Sequence, residues 1–167
     1  AFDGNYWSIG YPTFLALLKR TVGISTETLQ LTHIFLGLVL VLLTWLISAR
    51  LGPLIQVVAT CLVAFNPNFS GLSALGGYEV LLGVLIVGGT FLTQLYSNLV
   101  GEDAQGGQYR VKILLVLLSG ILLGLAVMVQ SKSFIIFIVF AFWWARTSIR
   151  SLAVGTVGLL IVLLPWS

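Results

Sequence analysis

Long apolar runs separated by short polar breaks make up almost the whole chain. About 20 apolar residues at 1.5 Å per residue span the hydrocarbon core of a bilayer, and several runs approach that length. The alternation of apolar and polar residues that transmembrane strands need is absent, so the pattern predicts helices. The runs predict six spanning helices, over about residues 29–47, 54–65, 79–99, 113–129, 134–145 and 152–164.

Local signals mark the ends of these helices. Ser25 or Thr26 can cap the first spanning helix, with Glu27 in its first turn. The Gly-Pro pair at 52–53 predicts a turn, and the Asn-Pro pair at 66–67 breaks the second helix. A single helix over 113–145 would be too long for one crossing, so the polar stretch 130–133 predicts a tight turn between two helices.

The first 24 residues are less apolar than the rest. Residues 1–11 are polar and aromatic, a composition typical of the headgroup level. Pro12 starts a short amphipathic helix that Gly23 can end, and this helix is predicted to lie in the membrane interface. Residues 27–166 then hold the six spans of a single transmembrane domain. Because there is no initiator Met and the chain stops where an apolar segment ends, we expect an internal piece of a longer protein.

Composition strengthens the membrane interpretation. The chain is 59% hydrophobic and 8% charged, with a mean hydropathy of +1.10, whereas soluble domains carry roughly 25% charged residues. Lipid is therefore the expected solvent and partner. The net charge of +3 does not indicate nucleic-acid binding, since the basic residues are scattered at the ends of apolar runs. The single cysteine, Cys61, precludes an intramolecular disulfide.

Six spans alternate sides, and the basic residues divide unequally between them. One side holds Arg50, Arg110, Lys112, Arg146 and Arg150, and the other holds Lys19, Arg20 and Lys132. The positive-inside rule makes the first side cytoplasmic. The acidic residues Asp3, Glu27 and Glu79 and the turn at 130–133 then lie on the extracytoplasmic face, where any chemistry is expected.

Glu79 and Lys132 are the strongest candidates for catalytic or ligand-binding residues. A carboxylate at the start of a spanning helix is costly and persists mostly where it faces a cavity or a partner. Glu79 can act as a general base on an acceptor hydroxyl, or orient a sugar or a metal ion. Lys132 can hold a phosphate as a point charge. The structural alternatives are an ion pair between helix ends, or snorkelling of Lys132.

Other polar residues have weaker signals. His33 lies inside the first predicted span, where a lone histidine more often forms a packing hydrogen bond than serves metal binding or proton transfer. Asn66 can line a cavity at its helix break or simply cap the helix. The glycines at 120 and 124 fit the small-residue spacing of closely packed helices. A Walker loop, a metal-ligand cluster, a catalytic serine motif and a voltage-sensor helix are absent from the sequence, which counts against an ATPase, a zinc membrane protease and a voltage-gated channel.

Four short motifs follow one another between residues 7 and 166. They are Trp-Ser-Ile-Gly-Tyr-Pro at 7–12 with Phe-Leu-Ala-Leu at 14–17, Phe-Asn-Pro at 65–67 with Gly-Tyr-Glu-Val-Leu at 77–81, Leu-Gly-Leu-Ala at 123–126 with a cation soon after, and Leu-Leu-Pro-Trp at 163–166. Their order resembles that of polytopic GT-C glycosyltransferases, in particular the dolichyl-phosphate-mannose–protein mannosyltransferase-like and aminoarabinose-transferase-like group. The resemblance implies a GT-C fold in a multi-pass membrane protein, of the bacterial inner membrane or its equivalent.

By resemblance, such an enzyme transfers a hexosyl or pentosyl group from a polyprenyl-phosphate-linked donor to an acceptor on the extracytoplasmic side. Glu79 and Asp3 are then the catalytic candidates. The substrate-binding candidates are Tyr11, His33, Asn66, Gln130 and Lys132. No cofactor or metal ligand is assigned, and metal dependence and oligomeric state stay open.

The chain also departs from the family pattern. Ser8 and Ile9 stand where the family has two prolines, and Gln130 stands where its Arg usually falls, with Lys132 two residues later. The family's catalytic Asp normally lies well before the Gly-Tyr-Pro element, farther away than Asp3. This piece alone is therefore expected to be inactive.

Three rival functions remain open. A polytopic transporter or flippase would use Glu79 and Lys132 as a gated ion pair, although the internal repeats common in transporters are not found in this piece. A non-catalytic membrane subunit would lack the first-loop Asp. An O-antigen ligase or polymerase would also use polyprenyl-linked sugars.

Overall fold

The computed structural model describes residues 9–66, 77–100 and 108–166, and this part of the chain is helical. Its α-helices are α1 (Gly10–Thr21), α2 (Thr26–Ser48), α3 (Pro53–Ala64), α4 (Tyr78–Val100), α5 (Gln108–Val129), α6 (Phe134–Thr147) and α7 (Ile149–Leu163). Short 3-10 turns follow α2, precede α6 and follow α7, at Ala49–Leu51, Ser131–Ser133 and Leu164–Trp166.

Local sequence chemistry explains several boundaries. The Ser25 side chain caps α2 by accepting a hydrogen bond from the Thr28 backbone N–H at 3.1 Å. Gly23 and Gly52 have φ values of 87° and 96°, a left-handed backbone that favours glycine. The chain can therefore turn sharply before α2 and again before α3. The predicted helix end at Gly23 and the predicted turn at 52–53 are confirmed.

The predicted division of residues 113–145 into two helices is also confirmed. Gln130 is extended, with φ −148° and ψ 113°, and the 3-10 turn that follows leads directly into α6. Four polar residues in succession thus interrupt an otherwise continuous apolar run.

A helix lies at each of the six predicted spans, but the helices differ in length. Within the described residues, three segments are long and apolar enough to cross a membrane: Thr26–Leu51, Tyr78–Val100 and Tyr109–Val129. Helices α3, α6 and α7 have 12, 14 and 15 residues. At 1.5 Å per residue they extend about 18–23 Å, short of a hydrocarbon core of roughly 30 Å. The chain is therefore an all-helical protein with three candidate membrane spans, and six crossings with an interfacial α1 remain a prediction.

The helices pack side by side in the order α3, α2, α4, α5, α7, α6, and α1 lies across the C-terminal end of α5. Between α4 and α5, the Ser119 hydroxyl donates to the Gly89 carbonyl at 2.8 Å and accepts from the Thr93 hydroxyl at 2.9 Å. Such buried hydroxyl contacts join helices where lipid supplies no hydrophobic driving force between them.

Helices α5 and α7 approach each other through glycine. A Cβ atom added at Gly120 would lie 2.2 Å from the Gly155 carbonyl oxygen, and one added at Gly124 would lie 3.2 Å from the Leu159 carbonyl oxygen. Side chains at these positions would hold the two backbones apart. The predicted packing role of the glycines at 120 and 124 is confirmed.

Large apolar side chains remain exposed on the outer helices. On α2, Leu31, Phe35 and Leu38 are each about two-thirds exposed, at 66%, 65% and 65%. Exposed Leu54 on α3 and Phe142 on α6 continue this apolar surface. A contiguous apolar exterior of this extent needs a non-aqueous surrounding, which agrees with three membrane-length helices.

The helix ends define two opposite ends of the molecule. At one end, the Gln94 side chain donates to the Ile47 carbonyl at 3.3 Å, and the Tyr96 hydroxyl contacts the Ser151 hydroxyl. These contacts join the end of α2, the end of α4 and the start of α7. We name this the basic end, because it carries Arg50, Arg110, Lys112, Arg146 and Arg150. The opposite end, where α1 packs, is named the Glu79 end.

Candidate functional site

Helix α1 packs at the Glu79 end through a close backbone contact with α5. A Cβ atom at Gly10 would lie 2.6 Å from the backbone of Met128 and Val129, so only glycine permits this approach to α5. Pro12 follows in the first turn of α1, where its missing N–H leaves no intrahelical bond unmade. The Gly-Tyr-Pro sequence thereby docks α1 and turns Tyr11 toward α2 and α4.

Tyr11 meets His33 across the interface between α1 and α2. The Tyr11 hydroxyl lies 3.3 Å from Nε2 of His33, and Nδ1 of His33 lies 2.8 Å from the Leu29 carbonyl oxygen. A carbonyl only accepts, so Nδ1 carries the proton, and in the neutral ring Nε2 accepts from the tyrosine. His33 is fully buried. This geometry agrees with a histidine that forms packing hydrogen bonds and fixes the position of Tyr11.

Glu79 lies beside this pair in the first turn of α4. Its Oε2 atom is buried and has no hydrogen-bond partner within the described residues. A buried carboxylate oxygen is costly without a donor, so we expect a water or a ligand hydroxyl to donate to it. Burial raises the pKa of Tyr11 above its ordinary 10.0, and the negative charge of Glu79 raises it further. The phenol therefore stays protonated at neutral pH and can donate.

Two aromatic residues that the sequence did not single out complete the site. Phe14 stacks on Tyr11 with ring centroids 6.1 Å apart, and Tyr78 meets Tyr11 edge-on at 6.3 Å. Both had a local signal: Phe14 follows Tyr11 by three positions on one helix face, and Tyr78 immediately precedes Glu79. We name Tyr11, Phe14, His33, Tyr78 and Glu79 the Tyr11–Glu79 site.

An apolar cavity of about 220 Å³ borders the site. It lies between α1, α4 and α5, and Phe14 belongs to both the cavity and the site. The remaining lining residues are Gly10, Thr13, Leu17, Leu81, Leu85, Leu125, Met128 and Val129. A buried carboxylate next to a hydrocarbon-lined cavity suits an amphiphile with a hydroxyl-bearing head.

Gln130 and Lys132 lie near the docking point of α1 but are not part of the site as observed. Gln130 directly follows Val129, which Gly10 contacts, and it is partly buried. Lys132 is exposed in the following 3-10 turn. In the described ranges, the structure shows no ion pair between Lys132 and Glu79. The ion-pair alternative for these two residues therefore has no support here.

One further candidate, Asn66, is separated from the site by position. Asn66 follows α3, whose neighbour is α2, and its backbone N–H donates to the Val63 carbonyl at 3.4 Å. Asp3 lies outside the described residues, and so does most of the connection between α3 and α4. The structure thus brings together Tyr11, His33 and Glu79 out of the predicted site residues.

The described part of the chain holds no group of three or more His, Cys, Asp or Glu side chains that could bind a metal ion. The polar groups of the Tyr11–Glu79 site are two phenols, one histidine and one carboxylate, which suit hydrogen bonding to hydroxyl groups. Comparisons with protein-family models, curated proteins and solved structures return no match for this chain.

Proposed function

We propose that this chain is the membrane part of a glycosyltransferase that moves a sugar from a polyprenyl-phosphate carrier to an acceptor hydroxyl. The observation that carries the proposal is the buried Oε2 atom of Glu79 beside Tyr11, to which no group in the described residues donates a hydrogen bond. A sugar or acceptor hydroxyl supplies such a donor. The adjacent apolar cavity suits the first hydrocarbon units of the carrier.

The proposed reaction is a direct displacement at the anomeric carbon. The acceptor oxygen forms a bond to that carbon, and the bond from the carbon to the phosphate oxygen breaks with its electron pair leaving on the phosphate. Glu79 accepts the hydroxyl proton or orients the hydroxyl that loses it. Lys132, at the same end of the molecule, stabilises the departing lipid phosphate as a point charge. Asp3 remains the candidate for a second acid.

The proposed side of the membrane follows from charge. The basic end carries five Lys and Arg residues, whereas Lys19, Arg20 and Lys132 belong to the Glu79 end. The positive-inside rule then assigns the basic end to the cytoplasm and the Tyr11–Glu79 site to the extracytoplasmic face. Polyprenyl-linked sugars used on that face fit this orientation.

The first test replaces Glu79 by Gln in the full-length protein and measures sugar transfer from a polyprenyl-phosphate sugar. General base catalysis contributes roughly 10²–10⁴-fold, so turnover should fall by about that factor. Glu27→Gln is the matched control, because Glu27 is also in the first turn of a membrane-length helix but is exposed. Equal turnover in wild type and Glu79→Gln, with both proteins folded, would remove Glu79 from the reaction.

Among the rivals, the transporter would operate through a gated Glu79–Lys132 ion pair. That pair is not formed in the described residues, where Oε2 of Glu79 has no hydrogen-bond partner. The glycosyltransferase proposal needs only the hydroxyl-binding site and its apolar neighbour. It is therefore the function that the geometry supports best.

A further inference from the structure

A second cavity lies at the basic end, on the far side of the molecule from the Tyr11–Glu79 site. Its volume is about 420 Å³, larger than the apolar cavity beside α1. Helices α4, α5 and α7 surround it. The lining residues are Tyr96, Tyr109, Lys112, Ile113, Val116, Ser148, Ile149, Arg150, Ser151 and Val154.

Two cations from different helices face this cavity. Lys112, one turn into α5, is partly buried, and Arg150 is exposed at the start of α7. Helix packing between α5 and α7 brings these two positive charges to one opening. An ammonium supplies a point charge and a guanidinium supplies a planar fork of donors, and together they suit the oxygens of a phosphate.

Hydroxyl-bearing residues also line the cavity. The Tyr96 hydroxyl contacts Ser151 Oγ, and Ser151 Oγ lies 2.9 Å from Ser148 Oγ. Ser148 also accepts from the Ser151 backbone N–H at 3.0 Å. Tyr96 and Ser151 are buried, so this chain of hydroxyls is held in place by packing.

The rest of the lining is aliphatic, from Ile113, Val116, Ile149 and Val154. We propose that this cavity binds a phosphate group between Lys112 and Arg150, with the apolar part of the same ligand against the aliphatic wall. The shared chemistry is a phosphate group with net negative charge and no cation of its own, unlike phosphatidylcholine, and an anionic lipid headgroup or a soluble phosphate compound can present it. The site is independent of the proposed transferase activity.

The test uses the full chain in detergent and native mass spectrometry with phosphatidylglycerol or phosphatidylcholine. The double variant Lys112→Gln/Arg150→Gln removes both cavity cations. Arg50→Gln/Arg146→Gln is the matched control, since it removes two positive charges from the same end but neither residue lines the cavity. Hydrogen bonds to charged groups are strong enough for a loss of about tenfold or more in phosphatidylglycerol affinity in the cavity variant. The control should change little.

A separate arm identifies the source of the phosphate by adding inorganic pyrophosphate as a competitor. Displacement of phosphatidylglycerol by pyrophosphate, with the same dependence on Lys112 and Arg150, would support a soluble phosphate ligand. Failure to compete, with lipid affinity still lost in the cavity variant, would support a lipid. Equal losses in both double variants, or phosphatidylcholine binding as tightly as phosphatidylglycerol, would overturn the proposal.

The connection between α4 and α5 carries Glu102 and Asp103, which lie outside the described residues. Thermal unfolding without added lipid therefore completes the test. The proposal expects the two double variants to unfold at similar temperatures. The contrary outcome is a large loss of stability in the cavity variant alone, which the charge-preserving variant Lys112→Arg/Arg150→Lys restores without restoring lipid binding. That result would assign the two cations to internal ion pairs and overturn the proposal.

Discussion

Tyr11 connects the two ionisable neighbours of its site, and its titration reports on both burial and charge. Burial raises its pKa above 10.0 and the Glu79 carboxylate raises it further. The folded state therefore holds the phenolic proton more tightly than the unfolded state does. The stabilisation from this difference is complete below pH 10 and is lost as pH rises through the folded pKa.

The raised pKa of Tyr11 can be tested by following tyrosinate absorbance in a pH titration. Subtracting the titration of Tyr11→Phe from that of the wild type isolates the Tyr11 component, whose midpoint should lie above 10.0. In a Glu79→Gln background the midpoint should fall, because the negative charge is gone, yet stay above 10.0, because burial remains. A midpoint that does not respond to Glu79→Gln would show that the two residues do not interact as the structure places them.

Single residues also show what the sequence could and could not predict. Glu79 was identifiable because a carboxylate at the start of an apolar run is rare and costly. The contact between Tyr11 and His33 was not, since it depends on the angle at which α1 crosses α5. That angle is set by the backbone contact at Gly10, and no local pattern encodes it.

Whole helices were predicted better than their contacts. The turn at 52–53 and the break at 130–133 were readable because glycine, proline and clustered polar residues act locally. The sequence predicted only some of the glycines that bring helices together. Gly120 and Gly124 fit a known spacing, but their partner helix, α7, contributes Gly155 and Gly158 at a spacing of three. The lateral order of helices depends on such surfaces and not on hydropathy.

The α5–α7 contact predicts opposite effects of two identical substitutions. Gly120→Ala places a Cβ atom 2.2 Å from the Gly155 carbonyl oxygen, whereas Gly37→Ala on α2 meets nothing within 4 Å. Overpacking typically costs about 1–3 kcal/mol, so Gly120→Ala should destabilise by that amount. Gly37→Ala should be neutral or stabilise by up to about 1 kcal/mol through helix propensity. Reversible unfolding in mixed micelles measures both, and equal effects would contradict the observed helix contact.

The described part of the molecule combines three membrane-length helices with three shorter apolar ones, of which α6 is the most informative. Its 14 residues extend about 21 Å, less than a hydrocarbon core of roughly 30 Å. Lys132 precedes it and Arg146 lies in its last turn. Long cationic side chains at both ends can reach the two interfaces, and local thinning of the bilayer can accommodate the rest. We therefore predict that α6 crosses the membrane.

Labelling of single cysteines tests this crossing. In a Cys61→Ser background, Lys132→Cys should react with a membrane-impermeant maleimide added from the extracytoplasmic side. Arg146→Cys should react only after the membrane is opened, because the basic end is assigned to the cytoplasm. Both positions are exposed in the structure, so differences in reactivity report on sidedness and not on burial.

Two outcomes would contradict the proposed topology. If both cysteines react from the same side, α6 does not cross, and the six-span topology fails while the three long helices can still span. If the sides are exchanged, the assignment of the Tyr11–Glu79 site to the extracytoplasmic face fails, and a donor presented on the cytoplasmic face becomes the substrate to test.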